Sequence, residues 1–304
     1  MRIYVVLPTH FAKSSDYTEE QQCQHEKLKA DGNGVSLEKS IRLRRKQKPK
    51  AERFTHLVIR RKNVARNSFL DSDEFQIARE KIPNARHLYK FGYNPALVNS
   101  YETIWDGSNV YTYPSSAAVL ALTSTSDSDA AKTVRVVGLD QDWVEREETV
   151  TLHASTPSTV AVNTTTTFIR VYRMYNNGSS SYVGNIQAKI GSTVHAQIND
   201  GDNQTLMAVY TVPAGKTLYL TRGSISHGSD DKTAFLTGKL LVRSFGGVFR
   251  TQNVQNLNNA FLDFDWEVPL RIPEKSDIEC RAICSKNQTN AVSATFEGVL
   301  VDGA

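Results

Sequence analysis

The sequence lacks a hydrophobic run long enough to cross a membrane. Its N-terminal apolar stretch, Ile3–Leu7, covers five residues and is followed by Pro8. A membrane-spanning helix needs about 20 apolar residues, and a signal peptide needs a longer apolar core before a cleavage site of small residues. We therefore expect no membrane segment and a protein that is made and kept in a cytosol.

Cysteines and metal-binding patterns are also scarce. The three cysteines, Cys23, Cys280 and Cys284, are an odd number. On a shared strand, Cys280 and Cys284 would lie about 13 Å apart, beyond the reach of a disulfide. The sequence contains no C-x-x-C, His-x-His or HExxH spacing. We expect reduced, buried thiols, no transition-metal site and no cofactor.

Charge is unevenly distributed, although the net charge is only +4. Residues 1–92 contain 20 Lys and Arg against 11 Asp and Glu, whereas residues 93–304 contain 16 against 21. A basic head therefore precedes a mildly acidic body. The candidate partner-binding residues of the head are its clustered cations: Lys39, Arg42, Arg44, Arg45, Lys46, Lys48, Lys50, Arg53, Arg60, Arg61, Lys62 and Arg66.

This basic cluster has two interpretations. A block of like charge is typical of a solvated arm that docks on an acidic protein neighbour, and it could also neutralise the phosphates of a nucleic acid. The cluster carries no zinc-finger, helix-turn-helix or RNP signature and few aromatic residues. We therefore favour a protein partner and keep nucleic acid as the alternative.

The body shows a strict alternation of apolar and polar residues. Residues Ala260–Val268 read AFLDFDWEV, and a β-strand sends successive side chains to opposite faces, so this stretch predicts one dry and one wet face. The same period of two recurs in residues 186–190, 194–198 and 278–284. Many half-buried strands predict a mostly β protein, with an antiparallel β-sandwich or jelly-roll body and a basic, partly helical or extended N-terminal arm.

Composition divides the chain into three predicted regions. Residues 1–92 form the basic arm, residues 93–181 a small β domain, and residues 182–304 a larger, jelly-roll-like β-sandwich. Within the arm, Ser72–Lys81 has the cap and acidic first turn of a short helix. Residues Phe91–Pro95 are interpreted as a linker.

Few residues of the sequence suggest a catalytic or metal-binding site. Asp263, Asp265 and Glu267 would project from one strand face, where paired carboxylates could hydrolyse a polysaccharide, although any solvated strand face provides the same spacing. Asn199–Asn203 gathers oxygen ligands but lacks the EF-hand spacing, which favours a polar turn over a calcium site. We expect no active site and a protein that is not an enzyme.

Four segments in the last two thirds of the chain have distinctive sequences. They are YETIWDGSNVYTYPSSAAVL (Tyr101–Leu120), TVRVVGLDQDW (Thr133–Trp143), INDGDNQTLMAVYTVPAGKTLYL (Ile198–Leu220) and the text around IPEKSDIECRA in Trp266–Ala282. The sequences of these segments resemble those of virion structural proteins of tailed bacteriophages, notably those of marine and cyanobacterial hosts. The basic head matches no family that we can name.

The resemblance implies a particle-bound, non-enzymatic and multimeric β protein. The leading expectation is a head decoration or cement protein, a homo-oligomer such as a trimer, whose partner is the major capsid protein. The alternative is a tail adaptor or a fibre-base, host-binding protein beside tail or portal-proximal partners. In that alternative, Trp105, Tyr175 and Tyr182 would be exposed loop contacts.

Overall fold

The computed structural model describes residues 72–287 and 290–303. These residues form one α-helix, a short 3-10 turn and sixteen strands, and every strand pairing is antiparallel. The elements are α1 (Asp73–Ala78), β1 (Ala85–Asn94), β2 (Glu102–Thr103), β3 (Ala121–Ser124), β4 (Thr133–Asp140), β5 (Glu145–Thr151), β6 (Val162–Asn163), β7 (Phe168–Asn176), β8 (Ile186–Ile190), β9 (Thr193–Ile198), β10 (Val209–Thr211), β11 (Lys216–Ser229), β12 (Leu236–Arg243), β13 (Arg250–Leu257), β14 (Phe261–Ile272), β15 (Asp277–Cys284) and β16 (Asn290–Asp302).

The larger part of the fold is a sandwich of two sheets. Sheet I has the strand order β1-β16-β11-β14, and sheet II has the order β10-β15-β12-β13 with β2 added to β15. Both sheets contribute to one buried core, to which sheet I adds Leu220 and Phe296 and sheet II adds Leu240 and Ile278. The prediction of a mostly β body with face-to-face antiparallel sheets is confirmed, and a jelly roll is compatible with it.

A second pair of sheets encloses a second core. Sheet III has the order β6-β3-β8-β9 and sheet IV the order β5-β4-β7, and their shared core includes Leu122 and Ile186 from sheet III and Val136 and Met174 from sheet IV. Strand β8 pairs with β3, although the boundary predicted between residues 181 and 182 separates these two strands.

The predicted short helix is confirmed as α1. The Ser72 hydroxyl accepts a hydrogen bond from the Phe75 backbone N–H at 3.2 Å, and Asp73 and Glu74 occupy the first turn. This side chain satisfies a backbone donor that the helix leaves unpaired, and the two carboxylates suit the positive end of the helix dipole.

The predicted linker at Phe91–Pro95 is wrong, because most of it belongs to β1. This strand pairs with β16 along its whole length, so the end of the predicted arm, residues 1–92, is part of the sheet. The inward positions of β1 include Lys90, Gly92 and Asn94, which are all buried. Because the inward residues are polar or small, β1 lacks the apolar alternation by which the other strands were predicted.

The predicted alternation of Ala260–Val268 holds along most of β14, whose acidic residues are exposed while the apolar residues between them are half-buried. The prediction is wrong for Val268, which was placed on the dry face but has a side chain that is 80% exposed. The register with β11 shifts between Leu220 and Arg222, and Pro269 cannot donate to the ladder. This irregularity takes Val268 off the dry face.

Candidate assembly surfaces

The candidate residues of the basic arm, Lys39 to Arg66, lie outside the described residues, as does Cys23. Their role stays a prediction. Cys280 and Cys284 are described, and both are buried with free thiols. Burial raises the pKa of the Cys280 thiol to about 12, which keeps it protonated and unreactive at neutral pH.

Trp105 is not an exposed contact, because its side chain is only 4% exposed. Its indole N–H donates to the Ser108 carbonyl at 2.9 Å and lies 3.2 Å from the Asn109 carbonyl. The ring therefore folds over its own turn into the second core. Residues 110–113, which follow this turn, do not form a strand.

The two tyrosines predicted as exposed contacts behave differently. Tyr182 is buried, and its hydroxyl donates to the Thr133 carbonyl at 2.6 Å, so it is excluded as a surface contact. Tyr175 is half-buried and donates to a Glu147 carboxylate oxygen at 2.6 Å. Tyr182 therefore serves packing, whereas Tyr175 lies in β7 and not in a loop, and its role as a contact stays a prediction.

The surface best suited to assembly lies along two edge strands. β13 ends sheet II and β14 ends sheet I, and an edge strand presents unpaired backbone groups to a partner. Large hydrophobic side chains in these strands and their flanking turns are 47–80% exposed, and we call this set the β13–β14 edge: Phe245, Val248, Val254, Phe261 and Val268. Exposed apolar side chains along unpaired strand edges are candidates for protein contacts.

The outer side of β14 combines this apolar character with negative charge. Asp263, Asp265 and Glu267 are exposed, and Arg222 is opposite Asp265 on β11. Charged residues and Pro269 on an edge strand prevent pairing with arbitrary partners. The carboxylates lie on an open strand face and not in a cleft, so this arrangement fits selective assembly better than hydrolysis.

A buried ionic cluster links the two sandwiches. Asp277 accepts hydrogen bonds from Arg170 and from Arg243, and the Tyr113 hydroxyl donates to Glu279 at 2.9 Å. Both guanidinium groups lie over the Tyr113 ring, at 5.1 Å for Arg170 and 4.6 Å for Arg243. Sequence reasoning missed this cluster, because its members come from β7, β12, β15 and the segment between β2 and β3.

Other predicted ligand sites have ordinary structures. Asn199–Asn203 begins a turn after β9, in which the Asp202 N–H donates to the Asn199 carbonyl at 3.1 Å. Within residues 72–287 and 290–303, no group of three or more His, Cys, Asp or Glu side chains could hold a metal ion. The same part of the chain contains no helix long and apolar enough to cross a membrane.

Comparison with known proteins gives little further guidance. No protein-family model matches the chain, and no curated protein matches it. The chain is similar to the infectious bursal disease virus VP2 subviral particle, with 9% identity over 73% of each chain and a TM-score of 0.20. It is also similar to T=1 particles derived from infectious bursal virus, with 13% identity over 72% of this chain and 70% of that chain and a TM-score of 0.20. Likenesses this low carry no argument about function.

Proposed function

We propose that the protein is a structural component of a bacteriophage particle, specifically a head decoration or cement protein. The observation that carries this proposal is the β13–β14 edge, where exposed apolar side chains accompany two consecutive edge strands. The resemblance of the sequence to phage virion proteins supports the class of particle. A β body with an open apolar edge suits binding between subunits, not catalysis.

The basic arm and the β body have different roles in this proposal. The β13–β14 edge packs against another copy of the protein, in a homo-oligomer such as a trimer. The basic arm anchors each copy in an acidic groove of the major capsid protein, where its charge contributes to specificity. Symmetric repetition then multiplies contacts that are weak individually. The protein is thus located in the virion and assembles in the host cytoplasm.

The apolar edge is tested by replacing Phe261 and Val268 together with serine. We expect this variant to lose self-association in sedimentation measurements and to join particles poorly. The matched control replaces Val160 and Val183, which are 42% and 52% exposed in the smaller sandwich, with serine. Undiminished self-association of the first variant, or an equal loss in the control, contradicts the assigned edge.

The anchor is tested by deleting residues 1–71, which removes all twelve candidate cations and keeps α1 and β1. We expect a folded body that no longer joins particles, and undiminished joining contradicts the anchor. The copy number of the full chain then distinguishes the two locations. A number that matches the shell lattice supports decoration, whereas a number that matches the symmetry of the tail favours the tail adaptor or fibre-base alternative.

A further inference from the structure

A groove of about 690 Å³ separates β1 from the outer face of sheet IV. Six consecutive residues of β1, Arg86–Phe91, line one wall. Val137 of β4, Glu147 of β5 and Arg173 of β7 line the other, and Tyr210 of β10 is also part of the lining. At about 3.3 Å per residue, the β1 wall is about 20 Å long. The groove is therefore long enough for several extended residues.

The wall formed by β1 is a free strand edge. β1 is the terminal strand of sheet I, and the Tyr93 N–H donates away from β16, to the Leu206 carbonyl at 3.3 Å. Backbone groups alternate in direction along a strand, so those of His87, Tyr89 and Phe91 also point away from β16. Within the described part of the chain they have no backbone partner on that side. Such an edge is a template for an added strand.

The carboxylates of the groove already have partners. Glu145 accepts from an Arg86 guanidinium N–H at 2.9 Å and from the Tyr172 hydroxyl at 2.8 Å. Glu147 pairs with Arg135 at 2.5 Å and accepts from the Tyr175 hydroxyl. Each acid is therefore held by one arginine and one tyrosine, and the nearby charge of Arg173 also lowers the pKa of Glu147 without a direct ion pair between the two side chains.

Two cations of the groove lack a carboxylate partner among the described residues. The Lys90 ammonium is buried and donates to the Tyr172 backbone carbonyl. The Arg173 guanidinium contacts the Tyr175 ring at 5.1 Å. Burial, and secondarily the charge of Arg173, lowers the pKa of Lys90 to about 7. A negative group placed between these cations would stabilise the charged form of Lys90.

A buried polar atom also faces this groove without a satisfactory partner. The Tyr210 side chain is 1% exposed, and its hydroxyl makes no hydrogen bond of good geometry, although the Arg86 guanidinium lies close enough to influence it. Buried hydroxyl groups normally find a partner. An acceptor on a bound molecule would supply one.

We propose that this groove binds an extended acidic peptide segment of a partner protein, which adds as a strand to β1 and places a carboxylate against Lys90 and Arg173. The backbone of the segment pairs with His87, Tyr89 and Phe91. Its acidic side chain supplies the charge that the groove lacks. This inference does not depend on the proposed virion role.

The test uses the full-length chain and a capped heptapeptide of alternating valine and glutamate, Val-Glu-Val-Glu-Val-Glu-Val. We expect saturable binding in fluorescence anisotropy and slowed hydrogen exchange at the amides of His87, Tyr89 and Phe91. Replacing Arg173 with glutamine removes a charge-assisted contact and should weaken binding about tenfold or more. Lys90→Met should also weaken binding of the peptide. Arg222→Gln, an equal change of charge in an exposed residue outside the groove, should leave binding unchanged.

Three further probes decide between this proposal and other occupants. The same peptide with lysine in place of glutamate should bind poorly, and the peptide N-methylated at alternate residues should not slow exchange along β1. Equal binding of either control overturns the proposal. Displacement of the peptide by free glucuronate at similar concentrations also overturns it, because the groove would then be a site for an acidic saccharide.

Discussion

Arg170 on β7 and Asp277 on β15 form a two-point ion pair between the two sandwiches. The Nε–Oδ1 distance is 2.8 Å and the Nη2–Oδ2 distance is 3.1 Å. Arg243 on β12 donates to the same carboxylate at 2.6 Å, and the Thr211 hydroxyl donates to it at 2.6 Å. One buried carboxylate is therefore shared by two guanidinium groups, and each member depends on the others.

Replacing Asp277 with asparagine should destabilise the fold strongly. The change preserves the shape of the side chain but leaves Arg170 and Arg243 without their negative charge, and breaking a buried ion pair typically costs about 3–5 kcal/mol. Urea unfolding measures the difference. The control is Asp302→Asn, which breaks a partly exposed pair with Lys216 and should cost about 1 kcal/mol or less. Similar costs for the two variants contradict a central role for Asp277.

Gly92 should not tolerate any side chain. A Cβ atom there would lie 2.2 Å from the Ile104 carbonyl oxygen and 2.3 Å from the Ala208 nitrogen, and backbone atoms cannot move aside cheaply. We expect Gly92→Ala to lower the free energy of unfolding by about 1–3 kcal/mol or more. Gly228→Ala on β11 is the matched control, because its Cβ would meet no atom within 4 Å. A neutral effect at Gly92 contradicts the close approach.

The same glycine shows why one strand could not be predicted. β14 was predicted because its apolar residues face the core and its acids face solvent. In β1 this relation is inverted: Lys90 and Gly92 face inward, whereas the Tyr89 and Phe91 rings lie beside each other with centroids 5.8 Å apart. The reasons for a buried lysine and a glycine lie in distant segments, which a local pattern does not contain.

The candidate sites were less predictable than the fold for the same reason. Arg170 and Asp277 are 107 residues apart in the sequence, and neither has neighbours that signal an ion pair. Trp105 stands in a polar turn that predicts exposure, yet its N–H finds carbonyl acceptors within four residues. The alternation of residues 260–268 predicted a wet face of acidic residues, whereas Val268, predicted on the dry face, became exposed through an irregularity in pairing.

Lys90 predicts an unusual dependence of stability on pH. Its folded pKa is about 7 and its ordinary value is 10.5, so between these values the unfolded chain holds a proton that the folded chain does not. The free energy of unfolding contributed by this group therefore rises with pH across that window and is lowest below it. Lys90→Met removes the buried charge and should raise the melting temperature at pH 7 and below.

The comparison across pH separates this effect from other titrations. The remaining groups around Lys90, including Arg86, Glu145, Arg173 and Tyr210, are present in both proteins, so the difference in melting temperature isolates Lys90. We expect the advantage of Lys90→Met to shrink as pH rises from 7 toward 10. Lys90→Arg, which keeps a charge at all these values, should be less stable than the wild type throughout. A constant difference between Lys90→Met and the wild type contradicts the lowered pKa.

Two N-terminal deletions separate the predicted anchor from the folded body. Deleting residues 1–71 leaves β1 in place, and its ten residues still pair with β16. Deleting residues 1–94 removes β1, which exposes an edge of β16 and the adjoining Phe296 and Leu300, both fully buried in the intact protein. Each hydrogen bond contributes about 1 kcal/mol net, so losing this ladder lowers the free energy of unfolding by several kcal/mol.

We expect the shorter deletion to retain the strand signal in circular dichroism and a cooperative melt, and the longer one to melt at a much lower temperature or aggregate. Equal melting temperatures would show that β1 does not belong to the stable body, and the groove beside it would then lose its wall.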